Sequence, residues 1–180
     1  VTSKTAPTSF SDVMSIRGGE RTFFHARGAN AEFSPEDINL SAMDCDIFHI
    51  GYILLLDIFD KPDEEYGTHG ARILAEAKKR GMITSIDVVS EQSDRAKNIV
   101  KAALKYTDIC CINESEAEAV TGITLTKDGE IIPEKVFEAI DEIKKLGVSK
   151  WIVIHAPKFG FGLDCETGET ITVPSLNLPK

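Results

Sequence analysis

Each of four apolar runs in the sequence ends in a polar residue that could bind a ligand. The residues are Asp57, Asp87, Asn113 and His155, which follow the runs 47–56, 83–86, 109–112 and 151–154. If the runs are strands of one parallel sheet, these residues share its carboxyl edge, where open α/β sheets bind ligands. Carboxylates there suit a magnesium ion or a sugar hydroxyl, because both require oxygen acceptors. Polar residues also follow strands because loops are solvated, so one residue indicates little, whereas the set of four favours a site.

The segment Asn113-Glu114-Ser115-Glu116 has two interpretations. Asn113 at a helix N-cap with Glu116 three residues later forms a capping box, which explains both residues without a ligand. A helix N-terminus at the carboxyl edge of a sheet also attracts phosphate, and Glu116 could hold the accompanying magnesium ion. The local sequence favours the structural interpretation and leaves the functional one open. Lys158 could reach a phosphate from the end of the fourth run, although a surface lysine is the commoner outcome.

Hydrophobic periodicity predicts the elements that must position these residues. Helices are predicted over 65–80, 94–105, 114–121 and 133–146. Alternating strands and helices indicate a parallel sheet with right-handed crossovers, and the unbroken run 47–56 is typical of a strand buried on both faces. Ser34 and Pro35 mark the start of a short helix. Hairpins are predicted for strands 9–16 and 21–27 through Gly18-Gly19, and for strands 160–164 and 169–173 through Thr167-Gly168.

Composition and motif content argue against several classes of function. The 180 residues include 42% hydrophobic and 27% charged residues, which suits a folded core, and the net charge of −9 disfavours nucleic-acid binding. The longest apolar run is too short to span a membrane, and the N-terminal stretch lacks the apolar region of a secretory signal. No Walker phosphate loop or strand-linked G-x-G-x-x-G occurs. The four cysteines show no C-x-x-C spacing, which predicts reduced thiols in a cytoplasmic protein.

Several segments then resemble one enzyme family. DICCINESEAEAVTGIT (108–124) resembles the N-x-x-E…TG stretch of the ribokinase-like, or PfkB, carbohydrate kinases. Three earlier segments occur in the order that the family shows. Segment 19–38 resembles its lid strands, segment 49–57 resembles a strand ending in an acidic substrate contact, and segment 82–90 resembles its Asp-x-Asn segment. The resemblance implies a ribokinase-like three-layer α/β fold with a central, largely parallel sheet flanked by helices and a small β lid. Lid strands would occupy residues 1–32, and a partial α/β core would occupy 33–180.

The resemblance also implies an activity and its participants. Family members are cytoplasmic kinases that transfer the γ-phosphate of ATP to a sugar or nucleoside hydroxyl with Mg²⁺, and a monovalent cation is an optional addition. Three sets of residues are carried over by position: Asp57, Arg27 and Asn30 for substrate; Asn113, His155, Pro157, Lys158 and Gly160 for nucleotide; Glu116 and Asp87 for metal. The lid strands would leave open edges that could pair in a homodimer.

The sequence departs from the family pattern in ways that affect catalysis. Only Gly160 of the segment 155–160 matches the family's Thr-Leu-Gly-x-x-Gly loop, and Asp87-Val88-Val89 lacks the Asn of Asp-x-Asn. The Gly-Gly substrate segment is expected before Val1, and the Gly-Ala-Gly-Asp segment with the catalytic base after Lys180. The chain is therefore expected to be the middle of a kinase, with no catalytic base of its own and no turnover in isolation.

Three alternatives remain open at this stage. One is a non-catalytic ligand-binding or regulatory α/β module, which the absence of a downstream Gly-x-Gly-Asp would favour. Another is a nucleoside kinase of the same family. The third is an oxidoreductase with a degenerate nucleotide fingerprint, which would need a glycine-rich turn after the first strand, and none follows Leu56.

Overall fold

The elements alternate as the sequence predicts. A computed structural model describes residues 2–17, 19, 21–91 and 93–176. Its strands and helices in chain order are β1 (Phe10–Ser15), β2 (Arg21–Ala26), β3 (Ile47–Ile53), β4 (Pro62–Asp63), β5 (Gly67–Thr68), α1 (His69–Lys79), β6 (Ile83–Val88), α2 (Asp94–Leu104), β7 (Ile109–Asn113), α3 (Glu114–Thr121), β8 (Thr126–Lys127), β9 (Glu130–Ile131), α4 (Pro133–Leu146), β10 (Trp151–His155), β11 (Phe159–Asp164) and β12 (Thr170–Pro174).

Six of the strands form one mixed sheet in the order β12-β11-β10-β7-β6-β3. The strands β3, β6, β7 and β10 are parallel, and β11 and β12 add an antiparallel edge. The predicted α/β architecture with a central, largely parallel sheet is confirmed. Because successive parallel strands advance in one direction, right-handed crossovers place all the connecting helices on the same face. The described residues therefore supply the sheet and one helical layer of the three layers that the family fold implies.

The core lies between that helical layer and the sheet. Strand β6 buries alternate residues, Thr84, Ile86 and Val88, and Ile152 and Ile154 of β10 are also fully buried. The opposite face of the sheet carries exposed apolar side chains. Ile47, Trp151 and Ile171 are 53%, 55% and 59% exposed, although parallel sheets are usually covered on both faces.

The first strand of the sheet differs from its prediction. The expectation that residues 47–56 form one strand buried on both faces is wrong. Strand β3 ends at Ile53, and its exposure alternates from Ile47 to Gly51. Among the described residues it is the last strand of the sheet, and no helix packs on its second face. The chain then turns at Leu54, which has a positive φ of 83° and is nonetheless 1% exposed. Asp57 consequently lies in a loop rather than at the strand end.

Two further local predictions need correction. Helix α1 begins at His69 rather than near residue 65, because residues 62–68 form the small hairpin β4–β5, and the Thr68 side chain caps the helix by accepting the Ala71 N–H at 3.1 Å. The helix expected after Ser34 is only a 3₁₀ turn, Pro35–Asp37. Helix α4 spans the predicted residues 133–146, and Gly147 is its C-cap.

The two predicted hairpins are present. Strands β1 and β2 pair antiparallel, with Val13 opposite Phe23 and both side chains exposed. Of the predicted turn, Gly18 lies outside the described residues, and Gly19 has a φ of 93°. Strands β11 and β12 match the C-terminal prediction, with Gly168 at a φ of 77° in the turn. The boundary between a lid and a core at residue 32 stays a prediction.

At the amino end of the sheet, Asp108 joins three elements. Its carboxylate accepts hydrogen bonds from Lys78 Nζ of α1 at 2.6 Å, from the Thr84 N–H of β6 at 3.0 Å and from the Ser149 hydroxyl. The side chain is only 6% exposed. Burial raises the pKa of Asp108, but the hydrogen bonds from Lys78, Ser149 and Thr84 outweigh it and lower the pKa to about 2. The network holds the end of the sheet that faces away from the candidate site.

Candidate active site

The candidate site is built around the junction of β7 and α3. Asn113 ends the strand and caps the helix: its Oδ1 accepts the Glu116 N–H at 2.9 Å. Glu116 Oε2 in turn accepts the Asn113 N–H at 2.9 Å, which completes the capping box. The predicted capping box is therefore confirmed. It fixes both side chains at the carboxyl edge of the sheet, where the positive end of the α3 dipole also lies.

Ser90, in the loop after β6, contacts both capping residues. Its hydroxyl donates to Glu116 Oε1 at 2.9 Å and accepts from Asn113 Nδ2 at 3.1 Å. Sequence reasoning missed Ser90, because a serine in a loop carries no spacing signal and its partners lie 26 and 23 residues further along the chain.

His155 and Asp87 complete the group on neighbouring strands. His155 is directly opposite Asn113 across the parallel pair β7–β10, so their backbones are about 4.8 Å apart. Ile86 is opposite Cys110, which places Asp87 beside Cys111 and on the same face of the sheet as Asn113 and His155, since side chains alternate along a strand.

The charges in this group influence one another. Burial raises the pKa of Glu116, which is 7% exposed, and the nearby Asp87 carboxylate raises it further. Hydrogen bonds from Asn113 and Ser90 and the proximity of His155 act in the opposite direction without cancelling the rise. Burial, Asp87 and Glu116 also raise the pKa of the Cys111 thiol, which therefore stays protonated and is a poor metal ligand or nucleophile.

The residues present fit a magnesium ion only in part. Within the described ranges, no group of three or more His, Cys, Asp or Glu side chains is arranged to hold a metal. Mg²⁺ is commonly bound by one or two carboxylates together with water and substrate phosphates. Asp87 and Glu116 are two carboxylates close enough for Asp87 to raise the pKa of Glu116, and a cation would relieve that repulsion. The two carboxylates therefore fit a magnesium ion that is also bound by the phosphates of a nucleotide. They do not by themselves form a complete magnesium site.

Asp57 and Arg27 form an ion pair with one another. Arg27 follows β2 and Asp57 lies in the loop after β3, and their side chains are 34% and 44% exposed. In the part of the chain that the structure describes, no hydrogen bond or ion pair joins Asp57 to Asp87, Asn113 or His155. Asn30 lies in the 3₁₀ turn Gly28–Ala31 and lines a separate cleft of about 710 Å³. Strand pairing thus brings Asp87, Asn113 and His155 together on neighbouring strands, and Asp57 is held by Arg27.

The segment predicted to be a nucleotide loop is a tight β-hairpin. His155 is the last residue of β10 and pairs with Gly160 of β11, so only residues 156–158 form the turn. Ala156 N–H donates to the Phe159 carbonyl at 2.8 Å. Lys158 Nζ bonds Glu130 of β9 at 2.6 Å, in a pair that is about two-thirds exposed on both sides. Pro157 and Lys158 therefore lie next to His155, but Lys158 already has a carboxylate partner.

Helices long and apolar enough to span a membrane do not occur in residues 2–17, 19, 21–91 and 93–176. Within the same ranges the cysteines are free thiols, and Cys110 is fully buried, which raises its pKa.

Comparison with known proteins places this geometry in a family. The chain matches the pfkB family carbohydrate kinase description over residues 1–162. No curated protein matches it. Among solved structures it is similar to a ribokinase from Giardia lamblia, with 16% identity, a TM-score of 0.75, and coverage of 98% of this chain and 51% of that one. It is also similar to the Arabidopsis thaliana ribokinase complexed with ribose and ATP, with 20% identity, a TM-score of 0.65, and coverage of 94% of this chain and 49% of that one.

A fructokinase from Xylella fastidiosa gives 19% identity, a TM-score of 0.62, and coverage of 97% of this chain and 51% of that one. These likenesses confirm the fold, and the chain spans about half the length of the structures that it matches. The match over residues 1–162 accounts for most of the sequence. The chain therefore belongs to the pfkB family of carbohydrate kinases.

Proposed function

We propose that the protein containing this chain transfers the γ-phosphate of ATP to a hydroxyl group of a sugar. The observation that carries the proposal is the convergence of Asp87, Asn113, Glu116 and His155 at the carboxyl edge of the sheet in a chain of this family. Phosphoryl transfer depends on positioning and charge neutralisation. The helix N-terminus contributes to positioning because it attracts phosphate. The two carboxylates contribute to charge neutralisation because they can bind a cation that the phosphate also binds.

These contacts support an assignment of the nucleotide side of the site. The Asn113 amide and the N-terminus of α3 would bind phosphate oxygens, and Glu116 and Asp87 would hold the magnesium ion through oxygen atoms. Mg²⁺ would neutralise charge on the transferred phosphoryl group when bound. His155, Pro157, Lys158 and Gly160 would flank the nucleotide from the β10–β11 hairpin, and Lys158 would have to leave Glu130 to contact a phosphate. A monovalent cation would be an addition to this site.

The sugar side rests on the lid contact. Arg27 and Asp57 pair with one another, and both are exposed enough to contact a substrate, with Asn30 three residues from Arg27 along the chain. The exposed edges of β1 and β2 would pair with a second copy in a homodimer. The structural neighbours include ribokinases and a fructokinase, which leaves the sugar itself open to experiment.

The test is ADP release by the encoded protein with ATP, Mg²⁺ and a panel of pentoses, hexoses and nucleosides. Sugar-dependent release that is lost in Asn113→Leu, with Asn98→Leu on the exposed surface of α2 as the matched control, would support the proposal. Release only with nucleosides would favour a nucleoside kinase. Binding without release in every case would favour a non-catalytic module. The isolated chain 1–180 should give only background release, because the catalytic base is expected outside it.

A further inference from the structure

The contact that joins β6 to the nucleotide side of the site is made by one hydroxyl. Ser90 Oγ lies 2.9 Å from Glu116 Oε1 and 3.1 Å from Asn113 Nδ2. A serine hydroxyl has one donor and two acceptor positions, so it can satisfy both partners at once. The segment that carries it, Asp87-Val88-Val89-Ser90, lacks the asparagine that the family resemblance leads one to expect.

Both atoms of the Asn113 side-chain amide have a partner once Ser90 is included, and the NH₂ group keeps a second N–H for a ligand. Asn113 Oδ1 accepts the Glu116 N–H at 2.9 Å, so the amide nitrogen must lie on the other side, where Ser90 accepts from it. Without the serine, the capping bond would still fix the oxygen, but the NH₂ group would have no partner in this network.

The carboxylate of Glu116 is fixed in the same way. Oε2 accepts the Asn113 N–H and Oε1 accepts the Ser90 hydroxyl, so the capping box sets one oxygen and the serine sets the other. Each carboxylate oxygen keeps a second lone pair for a further ligand. The rotation of the Glu116 carboxylate about its last side-chain torsion is therefore set by Ser90, which lies in the loop after β6.

We propose that Ser90 is a positioning residue that fixes the Asn113 amide and the Glu116 carboxylate relative to one another, an assignment that rests on the proposed nucleotide site. The hydroxyl acts through its two partners and needs no contact with the nucleotide. Hydrogen-bond partners that orient metal-binding side chains change metal affinity by about 10- to 100-fold when they are removed. Ser90 is itself exposed, so its replacement leaves the packed core unchanged.

The experiment compares Ser90→Ala with Ser90→Thr in the encoded protein. The matched control is Ser85→Ala, which removes a hydroxyl from β6 that bonds His49 rather than the capping residues. Calorimetry measures ADP binding with and without MgCl₂, and NMR measures hydrogen exchange of the Asn113 side-chain NH₂. We expect Ser90→Ala to weaken magnesium-dependent ADP binding about tenfold and to speed that exchange, whereas Ser90→Thr and Ser85→Ala stay within about threefold of wild type.

The two readouts separate this inference from the proposed function. Absence of magnesium–ADP binding by the wild-type protein would overturn the proposed function. Hydrogen exchange of the Asn113 side-chain NH₂, compared between wild type and Ser90→Ala, would still test the role of Ser90. Unchanged Asn113 exchange in Ser90→Ala would overturn the positioning role, whatever the nucleotide affinity. Unchanged magnesium-dependent affinity in Ser90→Ala, when the wild type binds, would also overturn it. Thermal unfolding within about 3 °C of wild type identifies variants that are folded.

Discussion

The Asp108 network makes a quantitative prediction about stability. Replacing Asp108 by Asn removes the charge that pairs with Lys78 and accepts from Thr84 and Ser149. The pKa of this carboxyl falls from 3.8 to about 2 in the folded chain. A shift of that size corresponds to about 2.4 kcal/mol of folding free energy at neutral pH, at about 1.36 kcal/mol for each pKa unit. For a chain of this size, that loss would lower the melting temperature by about 5–10 °C.

The sign of the pH dependence follows from the direction of the shift. The folded state has the lower pKa for Asp108, so it binds fewer protons than the unfolded state between the two values. The stabilisation is therefore complete above about pH 4 and is lost as the pH falls through about 2. At pH 3 the contribution should be about half of its neutral value.

The assay is urea unfolding of wild type, Asp108→Asn and the control Asp141→Asn at pH 7 and pH 3. Asp141 is exposed on α4, so its replacement should change the free energy of unfolding by less than about 0.5 kcal/mol. The difference between wild type and Asp108→Asn should shrink at pH 3. A variant as stable as wild type at pH 7, or an undiminished difference at pH 3, would refute the linkage argument. Magnesium–ADP affinity should not change, because Asp108 is at the amino end of the sheet.

Three other predictions concern the site, a turn and the open face. Glu116→Gln should weaken magnesium-dependent ADP binding at least tenfold in calorimetry, while the melting temperature falls little because glutamine also serves in a capping box; unchanged affinity would remove Glu116 from the metal site. Gly147→Ala should cost more than about 2 kcal/mol in urea unfolding, because φ is +127° and the added Cβ would lie 2.7 Å from Lys105 Cα. Gly81 has a φ of +85° and open space around it, so Gly81→Ala should lower the free energy of unfolding by only about 1 kcal/mol. Equal losses in the two variants would contradict a clash between the Cβ added at residue 147 and Lys105. Trp151 is the single tryptophan of the chain and is 55% exposed on the helix-free face; its fluorescence should be quenched by acrylamide in chain 1–180 and protected in a longer protein that covers this face, and equal quenching would contradict such a cover.

Local sequence signals predicted the elements that depend on neighbouring residues. The Pro133 start and Gly147 end of α4 and the capping box at Asn113 are each decided within a few residues of chain. The parallel order of the sheet follows almost as directly, because βαβ connections have one hand. The helix start predicted near residue 65 is wrong, because a short hairpin and a helix start share the same polar, glycine-containing composition.

The surroundings of the site residues could not be read from the sequence. The residues 47–56 form an unbroken apolar run, yet only tertiary structure shows that β3 is the last described strand with one open face. The sequence predicts ligand contacts for Lys158 and Asp57, and the fold gives each an ion-pair partner, Glu130 for Lys158 and Arg27 for Asp57. Such pairs form between distant segments, so no local spacing encodes them.

The sequence by itself determined the α/β alternation, the helix caps and the residue types at the carboxyl edge, because short-range periodicity and turn chemistry control them. Only the tertiary structure decided that Ser90 bonds both Asn113 and Glu116, and that Asp57 pairs with Arg27. The physical reason is that strand order and loop paths bring together side chains that lie tens of residues apart, and those distances depend on the packing of the whole sheet.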